Sequence, residues 1–253
     1  MINRTRILEG ATALVTGASS GLGAATVRTL HESGVRVIGA DLRASNGPHN
    51  QRVVACDVTD EDSVRAVLEV ALDPDRPLRY VVNCAGIRSA TRVLSDAGPH
   101  SLSEFRRVLE VNLLGTFNVT RLAAEVMAGT SADEDGGRGA IVNTASIAAY
   151  EGLPGQAAYA ASKAAVAGMT ITLARDLAEY GIRVNTIAPG VIDSPLLDEL
   201  TPERRELLSQ DVVFPRRLGS PSEYAALAAF ILSSRYINGE VIRLDGGLRM
   251  SRG

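Results

Sequence analysis

Cysteine, histidine and long apolar runs are all scarce in this chain, and each scarcity excludes a class of protein. Two cysteines among 253 residues, Cys56 and Cys84, are too few for a disulfide framework. Each closes or follows an apolar run, so both read as buried thiols in a reducing compartment. The three histidines, His31, His49 and His100, lie far apart and offer no metal-ligand spacing, so no metal site is expected. No apolar stretch reaches the ~20 residues that span a bilayer. The first ten residues lack the apolar centre of a signal peptide. A cytoplasmic location without a membrane partner is the resulting expectation. A formal charge of -3 gives no electrostatic case for nucleic acid or an anionic membrane as the main partner.

What is present is ordinary globular composition, 45% hydrophobic and 22% charged, at a length that α/β folds usually keep in one domain, here 1–253. Short β-rich runs alternate with longer helical stretches. Strands are expected at residues 11–16, 35–40, 52–56, 78–83, 140–144, 182–187 and 240–244. Between them, Leu22, Ala25, Val27 and Leu30 carry helical spacing that Gly34 closes. Thr59 with Asp62 resembles a capping pair opening a helix to about Leu72, and Ser101 with Glu104 a capping box before a long helix to about Met127. A further long helix is expected over 156–180, closed by Gly181. Ser220, Pro221 and Glu223 sit where N-cap, N1 and N3 of the last helix belong. Continuously apolar strands alternating with helices imply a doubly wound α/β fold, a parallel sheet covered on both faces. Residues 88–100 and 129–138 read as surface insertions.

The chemistry gathers at the ends of strands. The first strand runs through Thr16-Gly17-Ala18-Ser19-Ser20-Gly21-Leu22-Gly23 directly into a helix. Glycines let backbone approach a pyrophosphate, and the helix N-terminus offers free N–H groups to it, so Gly17, Ser20 and Leu22 are candidate dinucleotide contacts. Asp41 ends the second strand, where a carboxylate accepts from adenosine ribose hydroxyls and repels a 2′-phosphate; NAD is therefore expected over NADP. Ser20, in place of a basic residue, agrees, while Arg43 is the counter-signal. Asp57 could bond the adenine amino group with Val58 alongside, and the small residues Cys84 and Gly86 leave room for ribose. On one helix face, Tyr159 and Lys163 stand four residues apart. An unperturbed tyrosine, with pKa about 10, is a poor base near neutrality, and a neighbouring ammonium should lower it. Ser146, just past the fifth strand, can hydrogen-bond a substrate oxygen beside that phenol.

Together these residues resemble the short-chain dehydrogenase/reductase family over essentially the whole chain. The resemblance rests on Thr16–Gly23, Asn83–Gly86, Asn112, Ser146, Tyr159 with Lys163, and Pro189-Gly190. It implies a seven-stranded Rossmann-type sheet, a homotetramer or homodimer, and Tyr159 as acid/base. It further implies Lys163 on the nicotinamide ribose, Asn112 holding a water in the proton path, and Ile192 and Ser194 at the nicotinamide end. Serine replaces the commoner threonine at 194 but keeps the hydroxyl.

The segment 191–213 should cover the substrate, and its Leu196, Leu197, Leu200, Leu207 and Leu208 suit an acyl chain or steroid better than a sugar. Residues 212–219 and 237–246, with Asn143–Ser146, resemble more closely the branch of type-2 3-hydroxyacyl-CoA dehydrogenases, also called type-10 17β-hydroxysteroid dehydrogenases. That branch implies oxidation of the 3-hydroxyl of short or branched acyl-CoA. Arg88 and Arg92 could then meet CoA phosphates. A hydroxysteroid or small-alcohol dehydrogenase without CoA specificity is the rival enzyme. A non-catalytic nucleotide-binding scaffold is the rival of another class, since fold alone does not establish activity.

Overall fold

The computed structural model describes residues 8–43, 45–46, 52–197 and 201–250. The apolar runs become β1 (Thr12–Thr16), β2 (Arg36–Asp41), β3 (Ser45–Asn46), β4 (Arg52–Ala55), β5 (Leu78–Asn83), β6 (Leu94–Ser95), β7 (Gly98–Pro99), β8 (Gly139–Thr144), β9 (Ile182–Pro189) and β10 (Val241–Leu244). Seven of them form a parallel sheet in the order β10-β9-β8-β5-β1-β2-β4. To the expected seven the structure adds β3, a two-residue strand pairing antiparallel with the outer edge of β4. β6 and β7 make a small separate hairpin inside the 88–100 insertion.

Because side chains alternate across a strand, each strand feeds two cores. On one face Leu14, Val81, Ile141 and Val184 meet α2 (Glu61–Ala71), α4 (Thr116–Ala128) and α5 (Ala157–Asp176) through Val67, Leu68, Leu122 and Leu173. On the other, Val15, Val82, Val142 and Ile187 meet α1 (Gly21–Glu32) and α7 (Pro221–Ser233) through Val27, Leu30, Tyr224 and Ile231. Burial of each large apolar side chain contributes roughly 1.5–3 kcal/mol. Chain order reverses at β1, which lies between β2 and β5. Such a reversal opens a crevice beyond the strands' carboxyl ends.

The local signals hold in part. Gly34, at φ 82°, follows the C-cap of α1. Ser220 and Glu223 form a full capping box with Pro221 at N1. Elsewhere the caps differ from expectation. α2 starts one residue later than Thr59 suggested: Asp60 caps it by accepting from Ser63 N–H at 2.7 Å, while Thr59 turns to Asp57. Ser101 accepts a long 3.5 Å bond from Glu104 N–H, but the Glu104 carboxylate does not return to Ser101. It accepts instead from Ser89 Oγ at 2.6 Å and Thr91 Oγ1 at 2.9 Å, tying the insertion to α3 (Leu102–Leu109). The expected long helix over 101–127 is interrupted by a π-helical turn at Glu110–Gly115 between α3 and α4. The helix expected over 156–180 ends at Asp176, and a single 3₁₀ turn (Ala178–Tyr180) leads to Gly181. α6 (Pro202–Gln210) lies in the expected covering segment.

A buried polar chain ties two strands to α7. Thr144 Oγ1 donates to Asn83 O at 2.5 Å, so the Tyr224 hydroxyl donates to Thr144 Oγ1 at 2.7 Å, and Cys84 Sγ lies 3.7 Å from the same hydroxyl. Tyr224→Phe removes that hydroxyl and leaves the Thr144 oxygen short of a donor. A destabilisation of about 1–2 kcal/mol is expected, read as a fall in the urea midpoint at unchanged slope. An unchanged midpoint would show that the chain contributes nothing.

Candidate active site

The crevice at the reversal is built from the ends of β1, β2 and β5. Gly17, at φ 64°, passes so close to the end of β5 that a Cβ would lie 2.9 Å from Ala85 N. Thr16 fixes the same contact, its Oγ1 accepting from the N–H groups of Cys84 and Ala85, each at 3.1 Å. Sequence reasoning gave Thr16 no role of its own, although it stands directly before the glycine turn. Ser20 is the N-cap of α1, yet its side chain makes no capping bond, and the first turn carries no acidic residue. The first-turn N–H groups of a helix have no intrahelical acceptor, so this end keeps its capacity for an anion such as a pyrophosphate. Asp41, at the end of β2, accepts from Ser19 N–H at 3.0 Å and Leu42 N–H at 2.8 Å. It thereby faces the glycine turn, with oxygen lone pairs left over for a ribose. Asp57 accepts from Thr59 N–H and Oγ1, and Val58 is buried against Gly115. The residues present fit a dinucleotide.

The residues expected to transfer the proton come from three elements. α5 carries Tyr159 and Lys163 one turn apart, and Ser146 caps the 3₁₀ turn Ile147–Ala149 beyond β8. Ser146 lies close enough to the Tyr159 hydroxyl to lower its pKa, and its Oγ accepts from Ala148 N–H at 3.1 Å. Lys163 Nζ donates to Thr144 O at 2.7 Å and stands 5.8 Å from the centre of the Tyr159 ring. Asn112 lies in the π turn, wholly buried. Its Oδ1 accepts from Ile87 N–H at 2.8 Å, and its Nδ2 donates to Ile87 O at 2.9 Å and Ser162 Oγ at 3.0 Å. Gly86 fits between, since a Cβ there would come within 3.1 Å of Asn112 Oδ1. Thr144 and Ser162 escaped sequence reasoning because each acts on a partner distant in the chain or through its backbone.

One electrostatic expectation is corrected. The Tyr159 phenol is raised above its ordinary value, not lowered: burial pushes it up, and the neighbouring Ser146 hydroxyl and the charge of Arg88 offset only part. Lys163 is itself desolvated, which brings its ammonium down to about 8. Its hydrogen bond goes to the Thr144 carbonyl, not to the phenol.

Tyr159 and Ser146 open into a cavity of about 370 Å³ with a largely apolar lining. Leu22 borders it, which makes it continuous with the crevice, and Ile192, Ser194, Leu197 and Leu208 close the far side. Across the crevice Ser194 faces the glycine turn, where a Cβ on Gly21 would lie 3.5 Å from the Ser194 Cβ. Arg88 and Arg92 also line the cavity. Leu207 turns away, 52% exposed. Leu200 and the side chain of Leu196 lie outside the described residues.

A larger hollow of about 670 Å³ opens at the opposite, amino-terminal edge of the sheet. Its Arg79, Arg138, Arg183 and Arg235 are spent on carbonyl and carboxylate oxygens, so the chemistry stays with the smaller cavity. Among the described residues, no cluster of three or more histidine, cysteine or acidic side chains is arranged to hold a metal. No helix among them is long and apolar enough to cross a membrane.

Comparison with known proteins agrees with this geometry. The family model described as enoyl-(acyl carrier protein) reductase matches residues 17–249. The chain is 47% identical over 253 residues to 3-hydroxyacyl-CoA dehydrogenase type-2 of Drosophila melanogaster, covering 96% of this chain and 99% of the relative. Against the Homo sapiens protein of the same name identity is 46% over 254 residues, with 97% of each chain covered. The crystal structure of 3-hydroxyacyl-CoA dehydrogenase type-2 from Mycobacterium avium superposes with a TM-score of 0.91 at 44% identity, covering 100% of both chains. With its glycine turn, its serine, tyrosine and lysine at one sheet edge, and these relatives along its length, the chain belongs to the short-chain dehydrogenase/reductase family of oxidoreductases.

Proposed function

We propose that this oxidoreductase is NAD-linked and interconverts a 3-hydroxyacyl-CoA and a 3-oxoacyl-CoA. The observation that carries the reading is Ser146 and Tyr159 side by side on an apolar cavity that Leu22 links to the glycine turn. The names of the relatives support the acyl-CoA class. Arg88 and Arg92 on the cavity lining offer cations to CoA phosphates. A cavity of about 370 Å³ suits the acyl portion alone.

In the oxidative direction Ser146 and Tyr159 hold the alcohol oxygen. Tyr159, as phenolate, takes the hydroxyl proton while the carbinol C–H bond breaks with its electron pair. A nicotinamide bound in the crevice supplies the acceptor for that hydride. Ketone, reduced dinucleotide and one proton result, and the reverse path returns the proton from Tyr159. Lys163, with its ammonium at about 8, stays charged at neutrality and favours the phenolate. It is also the group assigned to the nicotinamide ribose. Asn112, with its carboxamide committed to Ile87 and Ser162, holds α5 and the Gly86 turn in register, which gives it a positioning part in the proton path.

The reading extends to assembly and place. Exposed Leu114 and Phe117 on the α4 side, and Ile171 on α5, support packing against further copies, as does Phe230 on α7; a homotetramer is the assembly proposed. The free thiols Cys56 and Cys84 support a reducing compartment, the cytoplasm in this reading.

Tyr159→Phe should lower turnover of 3-hydroxybutyryl-CoA by about 10²–10⁴-fold while NADH still binds, as followed by its fluorescence. Near-normal turnover would end the mechanism. Oxidation consumes the phenolate, and the phenol is raised. Its kcat/KM should therefore climb with pH from 6 to 9, by up to about tenfold per unit, whereas ketone reduction should be flat and then fall. An oxidation profile that declines over this range would contradict the assignment. The Asp41 carboxylate should favour NAD over NADP by on the order of 100-fold, because like charges brought together cost several kcal/mol, and Asp41→Asn should narrow that ratio. Equal use of both cofactors would overturn the NAD reading.

A further inference from the structure

Beyond β10 the chain turns through Asp245, Gly246 and Gly247 and comes back to the cavity. Leu248 is buried, and Met250 lines the cavity beside Leu153 and Pro154. What holds this return is a carboxylate in the loop that follows the Ser146 turn. Glu151 Oε2 accepts from Met250 N–H at 3.0 Å and from Arg243 Nη2 at 3.3 Å, while Oε1 accepts from Arg243 Nη1 at 3.0 Å. Arg243 in turn donates through Nε to Asp245 Oδ2 at 2.7 Å and through Nη2 to Leu248 O at 3.0 Å. Arg249 adds a bond to Asp245 Oδ2 at 3.1 Å.

The cluster is no ordinary surface ion pair. The Arg243 and Glu151 side chains are only 22% and 23% exposed, and that of Asp245 only 8%. Arg243 engages Glu151 through two nitrogens, the fork geometry that resists rotation, and its guanidinium also lies over the Tyr150 ring, 5.5 Å from its centre. Burial pushes the Glu151 carboxyl up, yet Arg243 and the Met250 N–H outweigh it and hold the group below the ordinary carboxylate value. Glu151 is therefore an anion at neutral pH. The backbone of Met250 is thus fixed from the same loop that carries Ser146.

We propose that Met250 is the end wall of the compartment for the substrate's alkyl or acyl chain, and that Glu151 is the positioning residue that keeps it there. This inference rests on the dehydrogenase reading of the cavity. Leu248, being buried, seats the segment; Met250 remains partly exposed toward the cavity, and its flexible thioether fills whatever space a short chain leaves. Shortening this side chain to alanine removes three heavy atoms and opens room for two or three methylenes. Each buried methylene is worth about fourfold in affinity.

The test is kcat/KM for wild type, Met250→Ala, Glu151→Gln and Glu151→Ala over 3-hydroxyacyl-CoA substrates of four to twelve carbons. A parallel series of linear secondary alcohols is run alongside, with thermal melting and NADH affinity measured for each protein. The expected result is that Met250→Ala raises the ratio of longer to four-carbon substrate by on the order of tenfold, chiefly through KM, with NADH affinity unmoved. Glu151→Ala shifts the profile the same way, and Glu151→Gln, which keeps a neutral acceptor for the Met250 N–H, shifts it less. A chain-length profile identical to wild type in a folded Met250→Ala protein overturns the wall, whatever the Glu151 variants do. Equal profiles for Glu151→Ala and wild type overturn the positioning part; if Glu151→Ala fails to fold, Glu151→Gln decides it. A wild type active on the alcohols and silent on every thioester overturns the CoA reading alone, with the wall judged on the alcohol series. Silence on both series overturns both.

Discussion

A cation removed from water organises this site. Lys163 is buried in the middle of a long helix, and its ammonium is tolerable there because the carbonyl of Thr144, at the last residue of β8, accepts from it at 2.7 Å. That bond couples α5 to the sheet edge at the point where Ser146 leaves the strand. It sets the height of the helix relative to the crevice, and with it the place of Tyr159 one turn earlier. The remaining burial has a cost that shows in both groups: the ammonium sits at about 8 and the phenol above its usual range. An added positive group would draw the phenol toward phenolate and push the ammonium further down, so the two groups answer such a charge in opposite senses.

Around that bond, the supporting contacts are backbone carbonyls and small hydroxyls far more than charges. Thr16 draws the end of β5 against the glycine turn, and Thr144 and Tyr224 link β5, β8 and α7. Asn112 joins the Gly86 turn to α5 through Ile87 and Ser162. Thr16 Oγ1 and Asn112 Nδ2 each engage two partners at once, so the groups at the sheet edge inherit their positions from the sheet.

Most of this architecture was legible before any coordinates. Seven strands announced themselves as apolar runs because parallel strands covered on both sides tolerate few polar residues. The glycine turn, Asp41, Ser146, Tyr159 and Lys163 were readable because their chemistry is carried by side-chain type at strand ends and helical spacing. What escaped reading depends on distance through space. The Glu104 pattern promised a cap, but its carboxylate found the hydroxyls of Ser89 and Thr91, a tertiary choice that no local rule anticipates. Asp60 displaced Thr59 as a cap because Asp57, just upstream, captured the threonine hydroxyl. The sign of the Tyr159 shift was misjudged for a related reason: spacing shows that an ammonium is one turn away, whereas burial, which dominates the phenol here, has no signature in four residues of helix.

The widened turn at residues 110–115 has a consequence for how this chain can vary. A π turn holds one residue more than an α-helix would use for the same span, and here the surplus lies where Asn112 reaches Ile87 and Ser162. Deleting that surplus residue would let regular α-winding cover the same span, with the helix downstream keeping its phase while the widened turn closes. Val119, Leu122 and Ala123 could stay packed in the core, while the carboxamide of Asn112 lost its reach to Ile87 and Ser162. Length at this point is therefore tied to Asn112: the helix could shed a residue there and still pack, but the carboxamide would lose its place beside Ile87 and Ser162.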